Sequence, residues 1–479
     1  MSEPLFIGRK KEREKLQQLL DKKSASLVVV KGRRRIGKSR LLEEFCKKIK
    51  FIKLTGLPPT TATQAQSQRD EFSRQLSEQS DIPNIQAKDW GDLFSLLAKE
   101  TSTGRIVIVL DEISWMGSKD EDFLGKLKTA WDEKFKKNSK LILILCSSVS
   151  FWIEENILSG TGFMGRISLT LTIEELSLSE SNQLLVAQGS RLSPYEKFKI
   201  LSVTGGIPRY LEEVQSKLSA DENIKQLCFS ASGVLFKEFN HIFSDLFTVR
   251  SSYYKKIVEA LVDGDLEYED VCQKLGVERS GFWKSYLDEL IKSGFIKRDF
   301  TWIVKTEKES RLSRYRLSDN YLRFYLKYID PVYNQIDRGA FENKALSVLP
   351  GWDSVMGLQF ENLVLNNRPF IWEKLRLDSN EVLIDNPYFQ RKTQRHQGCQ
   401  IDYLIKSRTN TFFACEIKFS RDEIKPEVIE SMKKKLDAFL LPKGCACIPV
   451  LIHVNGVRDS VIESNYFGQI INFCDLFEL

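Results

Sequence analysis

The most constraining feature of this chain is an apolar run that leads directly into a glycine-rich loop near its N-terminus. Residues 27–31 read Leu-Val-Val-Val-Lys and predict a buried strand, and residues 32–39 follow the pattern G-x-x-x-x-G-K-S. The periodicity of residues 40–48 predicts a helix immediately afterwards. A strand, a loop and a helix in this order are typical of a phosphate-binding loop, whose backbone N–H groups face the phosphates at a helix N-terminus.

Each position of the loop predicts a contact with a magnesium nucleotide. Gly32 and Gly37 permit backbone conformations that other residues rarely adopt, so that successive N–H groups can point inward. Lys38 is expected to reach the β and γ oxygens, and Ser39 is expected to bind Mg²⁺. The predicted nucleotide-binding residues of the loop are Gly32, Arg33, Arg34, Arg35, Ile36, Gly37, Lys38, Ser39 and Arg40.

Two further apolar runs predict strands that carry polar residues at their ends. Residues 105–110 are followed by Asp111, expected to hold Mg²⁺ through water, and by Glu112, expected to polarise the attacking water. Residues 140–146 are followed by two serines, and Ser148 is a candidate γ-phosphate sensor because parallel strands bind ligands at their carboxyl ends. Helix capping or packing explains these serines equally well. The chain has no Asn-Lys-x-Asp motif of the kind that reads guanine, so we expect ATP.

Two arginines outside the loop are candidates for sensing or completing the nucleotide site. Arg166 lies on a glycine-flanked loop before another apolar strand, where an arginine finger could act on a neighbouring subunit. An ordinary surface arginine is the competing interpretation. Arg209 begins a helix after Gly205-Gly206 and could report the nucleotide state. The finger hypothesis implies a homo-oligomer.

These motifs together resemble the archaeal-type ATPase family, which is close to the AAA+ and STAND ATPases. The resemblance covers roughly the first half of the chain and implies that Phe6 and Arg9 help to cover the adenine, and that a small helical lid begins after about residue 175. One departure is Cys146, since the family often has glycine before the serines. The motifs that carry the resemblance are Phe6-Ile-Gly-Arg9 with Glu12 and Leu16, residues 32–39, Asp111-Glu112, the two serines, Gly165-Arg166 and Gly205-Gly-Ile-Pro208.

The middle of the chain predicts a winged helix-turn-helix. Short amphipathic helices are expected at residues 254–261, 265–275 and 280–291, followed by a hairpin that pairs residues 295–298 with 314–317. Basic residues on the third helix and the hairpin suit contact with DNA phosphates, although such modules also serve only as packing elements. These residues are Arg279, Lys284, Lys297, Arg298, Lys305, Lys308, Arg311 and Arg314.

Near the C-terminus, a second hairpin brings carboxylates and a lysine to one surface. Asp402 begins one predicted strand, and Glu416 and Lys418 lie two residues apart on the next, which places their side chains on one face. The pattern resembles the PD-(D/E)xK nuclease core, with Glu361 on a preceding helix as an additional acidic ligand. The resemblance implies that Glu361, Asp402 and Glu416 bind a divalent metal and that Lys418 assists catalysis. An exposed polar hairpin is the alternative interpretation.

Composition is compatible with this organisation. The net charge of +6 permits nucleic-acid binding without requiring it, no apolar run is long enough to cross a membrane, and nine scattered cysteines suit reduced thiols in a cytoplasm. We expect an α/β chain with four parts: a P-loop ATPase core with a parallel sheet at residues 1–175, a helical lid at 176–245, a winged helix at 246–335, and a restriction-endonuclease-like domain at 345–479.

The leading hypothesis from sequence is a cytoplasmic, homo-oligomeric enzyme that binds ATP and Mg²⁺ and uses ATP to gate access to DNA or its cleavage. The rival is a STAND-like switch. In that case ATP controls oligomerisation and the nuclease-like domain is a non-catalytic docking or DNA-binding surface.

Overall fold

The computed structural model describes residues 6–60, 62–247, 251–341, 345–394 and 397–477. The chain divides into two compact units. The first comprises Met1–Leu176 with His241–Ser251, and the second comprises Ser177–Asn240 with Ser252–Leu479.

A five-stranded parallel sheet forms the centre of the first unit. Its strands are β1 (Ser26–Lys31), β2 (Lys50–Thr55), β3 (Ile106–Asp111), β4 (Leu141–Ser147) and β5 (Ile167–Thr172), in the order β2-β3-β4-β1-β5. All four ladders are parallel. Strands β3 and β4 are buried along their whole length, as expected for a parallel sheet covered by helices on both faces. The predicted α/β fold with a parallel sheet is therefore confirmed for this unit.

Helices follow the strands of the first unit and bury one face of the sheet around an aromatic cluster. Trp90 contacts the rings of Phe72, Phe94 and Phe123 at centroid distances of 5.4, 5.6 and 4.8 Å. The α-helices are Lys10–Gln18, Lys38–Cys46, Ala65–Gln79, Trp90–Glu100, Ile113–Met116, Phe123–Glu133 and Ser150–Ile153; short 3₁₀ turns lie at Leu19–Asp21 and Phe135–Lys137, and a π-turn at Glu154–Leu158.

The second unit begins with helices, of which three start with the same capping device. In each one a serine hydroxyl accepts a hydrogen bond from the backbone N–H three residues later, and a glutamate at that position accepts one from the serine N–H. These helices are Leu178–Ala187, Pro194–Thr204 and Ala220–Cys228, with the short helix Pro208–Leu211 between the last two; Val234–Phe247 follows and continues from the second unit into the first.

Three helices and an antiparallel pair of strands come next, in the predicted order. The helices are Ser251–Ala260, Tyr268–Leu275 and Gly281–Lys292, and the strands are β6 (Ile296–Ile303) and β7 (Lys308–Leu317). The hairpin is longer than predicted, and Trp302 and Val304 on it pack into the hydrophobic core of the C-terminal sheet. Short helical segments follow at Asn320–Phe324, Tyr325–Ile329, Asp330–Val332, Tyr333–Asp337 and Leu346–Val348.

The chain ends in a mixed five-stranded sheet. Its strands are β8 (Val382–Gln390), β9 (Cys399–Ser407), β10 (Thr411–Lys418), β11 (Ala446–His453) and β12 (Gln469–Asn472), in the order β12-β11-β10-β9-β8. Strands β8, β9 and β10 pair antiparallel, whereas β10, β11 and β12 pair parallel. The helices of this region are Trp352–Asn366, Arg368–Lys374, Glu427–Ala438 and Asp459–Glu463, with a 3₁₀ turn at Phe473–Phe477.

Within the part of the chain that the structure describes, no helix combines the length and apolar character needed to span a bilayer.

Replacing Trp90 with Ala tests the core of the first unit. The side chain is 1% exposed, and its loss should lower the free energy of unfolding by about 3–5 kcal/mol because a large cavity would remain among the three phenylalanines. Met164→Ala is the matched control, since Met164 is 67% exposed and its loss should change stability by less than about 0.5 kcal/mol. Equal stability of the two variants in urea denaturation would contradict this description of the core.

Candidate functional site

The glycine-rich loop folds back on its own lysine. The Lys38 ammonium is buried and donates hydrogen bonds to the carbonyl oxygens of Gly32 at 2.9 Å and Arg33 at 3.0 Å. Gly32 has φ 153°, and a Cβ at this position would lie 2.4 Å from the carbonyl oxygen of Ile173. Gly37 has φ 89° and immediately precedes the helix Lys38–Cys46. A side chain at either glycine would therefore disturb the loop that aims the helix N-terminus.

Strand β3 ends beside this helix, where a serine and an aspartate meet. The Ser39 hydroxyl donates a hydrogen bond to Asp111 Oδ2 at 2.9 Å, so the two predicted magnesium ligands are adjacent. Lys53 on β2 lies 3.4 Å from the same oxygen. Burial lowers the pKa of Lys53, but the charges and hydrogen bonds of Asp111 and Glu43 outweigh it and leave the pKa above its usual value. Sequence reasoning missed Lys53 because no motif marks it.

The predicted water-polarising carboxylate is held by a serine on the neighbouring strand. The Ser148 hydroxyl lies 2.8 Å from both carboxylate oxygens of Glu112, and the Ser148 N–H donates to Oε2 at 3.0 Å. Glu112 has φ 51°, a left-handed conformation that a non-glycine residue rarely adopts. Ser148 thus fixes the orientation of Glu112, whereas the neighbouring Ser147 hydroxyl bonds to Ser114 at 2.8 Å.

This arrangement fits a magnesium nucleotide. A buried lysine bonded to loop carbonyls can exchange them for phosphate oxygens, and the adjacent hydroxyl and carboxylate of Ser39 and Asp111 are oxygen ligands of the kind that Mg²⁺ prefers. The donor set therefore fits a magnesium nucleotide, and the individual roles of these three residues stay predictions.

The N-terminal segment reaches the loop through an arginine. Arg9 is buried, has φ 58°, and donates from Nη2 to the carbonyl oxygen of Ile36 at 3.1 Å. The guanidinium of Arg13 lies 5.6 Å from the centre of the Phe6 ring. Arg9 therefore lies against the loop, and the predicted contact of Phe6 and Arg9 with adenine stays a prediction.

The other loop arginines occupy varied positions. Arg33 is buried and lies 3.5 Å from Glu175 at the end of the first unit. Arg34, Arg35 and Arg40 are half-buried, and Arg35 has φ 64°.

The two candidate sensing arginines are both in ion pairs. Arg166 is held by Asp132, with Nε donating to Oδ1 at 3.0 Å and Nη2 to Oδ2 at 2.8 Å. Arg166 also holds the pKa of Asp132 well below its usual range. Arg209 belongs to the second unit, where it pairs with Glu213 at 2.5 Å and with Glu212 at 3.6 Å.

In the C-terminal sheet, the predicted carboxylates do converge, but on a lysine that was not predicted. The Lys435 ammonium lies 3.3 Å from Asp402 Oδ1 and also donates to Glu416 Oε2. Asp402 Oδ2 accepts a hydrogen bond from the Ile417 N–H at 2.9 Å, which ties β9 to β10 beside Glu416. Lys418 is exposed and influences Glu416 through its charge.

Glu361 lies close enough to Asp402 to feel its charge. Burial and the charge of Asp402 raise the pKa of Glu361 to about 7, so the group is partly protonated at neutral pH. Its helix is fixed by buried polar contacts, since Arg316 donates to Asn362 and the Gln359 amide donates to Asn320 O at 2.6 Å. A protonated carboxylic acid is a weak metal ligand.

The described residues contain no group of three or more His, Cys, Asp or Glu side chains arranged to hold a metal ion. Asp402 and Glu416 are instead both paired with Lys435, and metal binding by Glu361, Asp402 and Glu416 stays a prediction.

A sequence signal for Lys435 does exist. The helix Glu427–Ala438 buries Val428 and Met432, and Lys435 is the next position on the same face at helical spacing. A lysine in register with buried apolar residues indicates a partner beneath the helix.

Some of the basic residues predicted to contact DNA are bonded to other residues of the second unit. Arg314 bonds to Asp265 at 3.1 Å and lies over the Phe389 ring, Arg298 bonds to Ser313 at 2.8 Å, and Lys297 bonds to Asn366 at 3.0 Å. The exposed members are Lys297, Arg279, which pairs with Glu269, and Lys284, Lys305, Lys308 and Arg311.

Glu361→Gln tests the raised pKa. A carboxyl group whose pKa is about 7 in the folded protein, above its usual value of 4.5, contributes stability that is present below pH 4.5 and is lost as the pH rises through 7. The difference in unfolding free energy, wild type minus variant, should therefore fall by on the order of 3 kcal/mol between pH 4.5 and 7.5. Denaturant titrations at each pH measure it, and a difference that does not change with pH would show that Glu361 titrates normally.

Comparison with known proteins found a family model that matches the first part of the chain. Residues 6–214 match the family model described as an ATPase domain predominantly from Archaea. The chain is 25% identical over 382 residues to the uncharacterized protein MJECL04 of Methanocaldococcus jannaschii, an alignment that covers 78% of this chain and 81% of that protein.

Solved structures with similar coordinates include the Walker-type ATPase PABY2304 of Pyrococcus abyssi, with 17% identity, 67% of this chain and 96% of that chain covered, and a TM-score of 0.49. The ORC2 protein of Aeropyrum pernix has 15% identity, covers 70% of this chain and 96% of its own, and gives a TM-score of 0.42. Residues 6–214 are thus similar to the ATPase domain found predominantly in Archaea, and this similarity and the loop geometry support an ATPase function.

Proposed function

We propose that this protein is a cytoplasmic, DNA-acting ATPase in which ATP hydrolysis in the first unit controls a nuclease-like domain in the second. The observation that carries the hydrolytic part is the meeting of Ser39 with Asp111 next to a glutamate, Glu112, that is held by Ser148. Asp111 and Glu112 lie at the carboxyl end of β3 and Ser148 follows β4, where ligands of parallel sheets bind, and Ser39 lies in the first turn of the helix Lys38–Cys46.

Each residue has a distinct role in the proposed reaction. Lys38 exchanges its bonds with loop carbonyls for the β and γ phosphates, and Ser39 and Asp111 hold the metal. Glu112 accepts a proton from the attacking water once it turns from Ser148. Magnesium, when bound, neutralises charge that develops on the transferred phosphoryl group.

Substitutions at Lys38 and Glu112 should separate binding from hydrolysis. Lys38→Ala should weaken ATP binding because the loop loses a buried ammonium, whereas Glu112→Gln should bind ATP normally and hydrolyse it roughly 10²–10⁴-fold more slowly. Fluorescent-nucleotide binding and phosphate release measure the two effects. Normal turnover by Glu112→Gln would remove this residue from the mechanism.

We also propose that the chain forms a homo-oligomer in which Arg166 leaves Asp132 and acts on the nucleotide of a neighbouring subunit. Arg166→Ala should then lower turnover by roughly 10³-fold without changing nucleotide affinity. Mixing it with Lys38→Ala should restore part of the activity, because each variant supplies what the other lacks. Lys136→Ala is a control, since Lys136 also pairs with Asp132, at 3.5 Å. A protein that stays monomeric with ATP would contradict the proposal.

For the second unit, we propose a winged helix over residues 246–335 and a PD-(D/E)xK nuclease-like domain over residues 345–479. The support is the order of helices and strands and the approach of Asp402 to Glu416 on adjacent strands. DNA is the proposed partner, with the exposed basic residues of the third helix and hairpin as contacts. As placed, the carboxylates are not a ready metal site, because Lys435 lies between them.

Nuclease activity is the second candidate function, favoured by the convergence of Asp402 and Glu416. The purified chain should cleave plasmid in the presence of Mn²⁺, and Asp402→Asn should reduce cleavage at least roughly 100-fold while leaving ATPase turnover unchanged. Asp437→Asn, on an exposed position of the helix above the sheet, is the control. Absence of cleavage of DNA and RNA, with or without ATP, would favour the STAND-like switch with a docking domain.

A further inference from the structure

The Lys435 ammonium occupies the place that a cation would take between two carboxylates. It contacts Asp402 on β9 and Glu416 on β10 from the helix Glu427–Ala438, which packs over the sheet. The Glu416 side chain is only 6% exposed, compared with 19% for Asp402 and 23% for Lys435. The contact is therefore largely removed from solvent.

A positive charge at this point has a clear electrostatic function. Two carboxylates side by side repel each other, and the repulsion is severe for Glu416 because it is buried. Burial and the charge of Asp402 raise the pKa of Glu416. Burial alone would lower the pKa of Lys435, but Asp402 and Glu416 hold it above its usual value. The Lys435 ammonium, 3.3 Å from Asp402 and bonded to Glu416, therefore offsets the repulsion.

We propose that Lys435 is a built-in competitor for divalent cations at the Asp402–Glu416 pair, so that a metal ion enters this site only when the lysine swings away. The inference rests on the proposed nuclease-like domain. One ammonium leaves the pair with a net negative charge, which still attracts a divalent ion, and a four-carbon stem allows Lys435 to leave without moving its helix.

The two other charged neighbours do not have this role. Lys418 is exposed and acts on Glu416 through its charge at a distance, and Glu361 is an acidic residue that cannot act as a competing cation. Lys435 is also anchored in the correct orientation by Val428 and Met432 on the same helical face, both of which are buried. The competitor and the carboxylates are thereby positioned by separate, rigid elements.

Mn²⁺ binding to the full chain without nucleotide tests the proposal. Lys435→Met should bind one Mn²⁺ at least tenfold more tightly than the wild type, measured by the electron paramagnetic resonance signal of free Mn²⁺. Adding Glu416→Gln to Lys435→Met should abolish the gain, and this difference excludes binding at the phosphate loop. Lys434→Met is the matched control, because Lys434 is the preceding, exposed residue of the same helix. Unchanged or weaker binding by a folded Lys435→Met would overturn the proposal.

Wild-type protein gives a second test that does not depend on a variant folding. Lys435 should react slowly with an amine-acylating reagent, and Mn²⁺ should raise its reactivity several-fold while Lys434 is unaffected, as measured by mass spectrometry. Glu416→Gln should react readily without Mn²⁺. If Mn²⁺ binds in a Glu416-dependent manner and leaves Lys435 unreactive, displacement is wrong. Both readouts are made without DNA, so a lack of cleavage would contradict the nuclease proposal without deciding the role of Lys435.

Discussion

Carboxylates brought together at the ends of buried strands require a partner that offsets their charge, and both units of this protein depend on such partners. In the first unit Asp111 receives a hydrogen bond from Ser39 and lies near Lys53. In the second, Lys435 lies between Asp402 and Glu416. Without these partners, burial of the charged carboxylates would lower the stability of the folded protein. A metal ion that binds at either site would therefore have to contact or displace these same partner groups.

In the first unit, two residues of the proposed nucleotide site are hydrogen-bonded to other groups of the protein. Lys38 bonds to its own loop, and Glu112 is bound on both oxygens by Ser148. In the proposed mechanism both contacts are exchanged before chemistry, and each exchange replaces one hydrogen bond with another, so the energetic cost is small. Ser148 at the end of β4 binds Glu112, a contact that neither interpretation of this serine included, and its role as a γ-phosphate sensor stays a prediction.

The sequence was sufficient to predict the structure where a motif constrains both the backbone conformation and the residue types. The loop at residues 32–39, the strands before Asp111 and Ser148, and the pairing of β9 with β10 all follow from local pattern. The sequence was insufficient to predict a contact in which the partner side chain comes from a distant strand or helix. Lys53 and Lys435 approach carboxylates from another strand and a later helix, and only tertiary packing brings them there. The pKa of Glu361 likewise depends on burial that no motif encodes.

We infer that the chain has a nucleotide site ready to bind a metal ion and a second carboxylate pair that is closed by its own lysine. Anomalous diffraction from crystals grown with Mn²⁺ and a non-hydrolysable ATP analogue would test both inferences. We expect manganese beside Ser39 and Asp111, and a second peak between Asp402 and Glu416 only where Lys435 has moved away or has been replaced by Met. Manganese bound between these carboxylates with Lys435 still in place would contradict it.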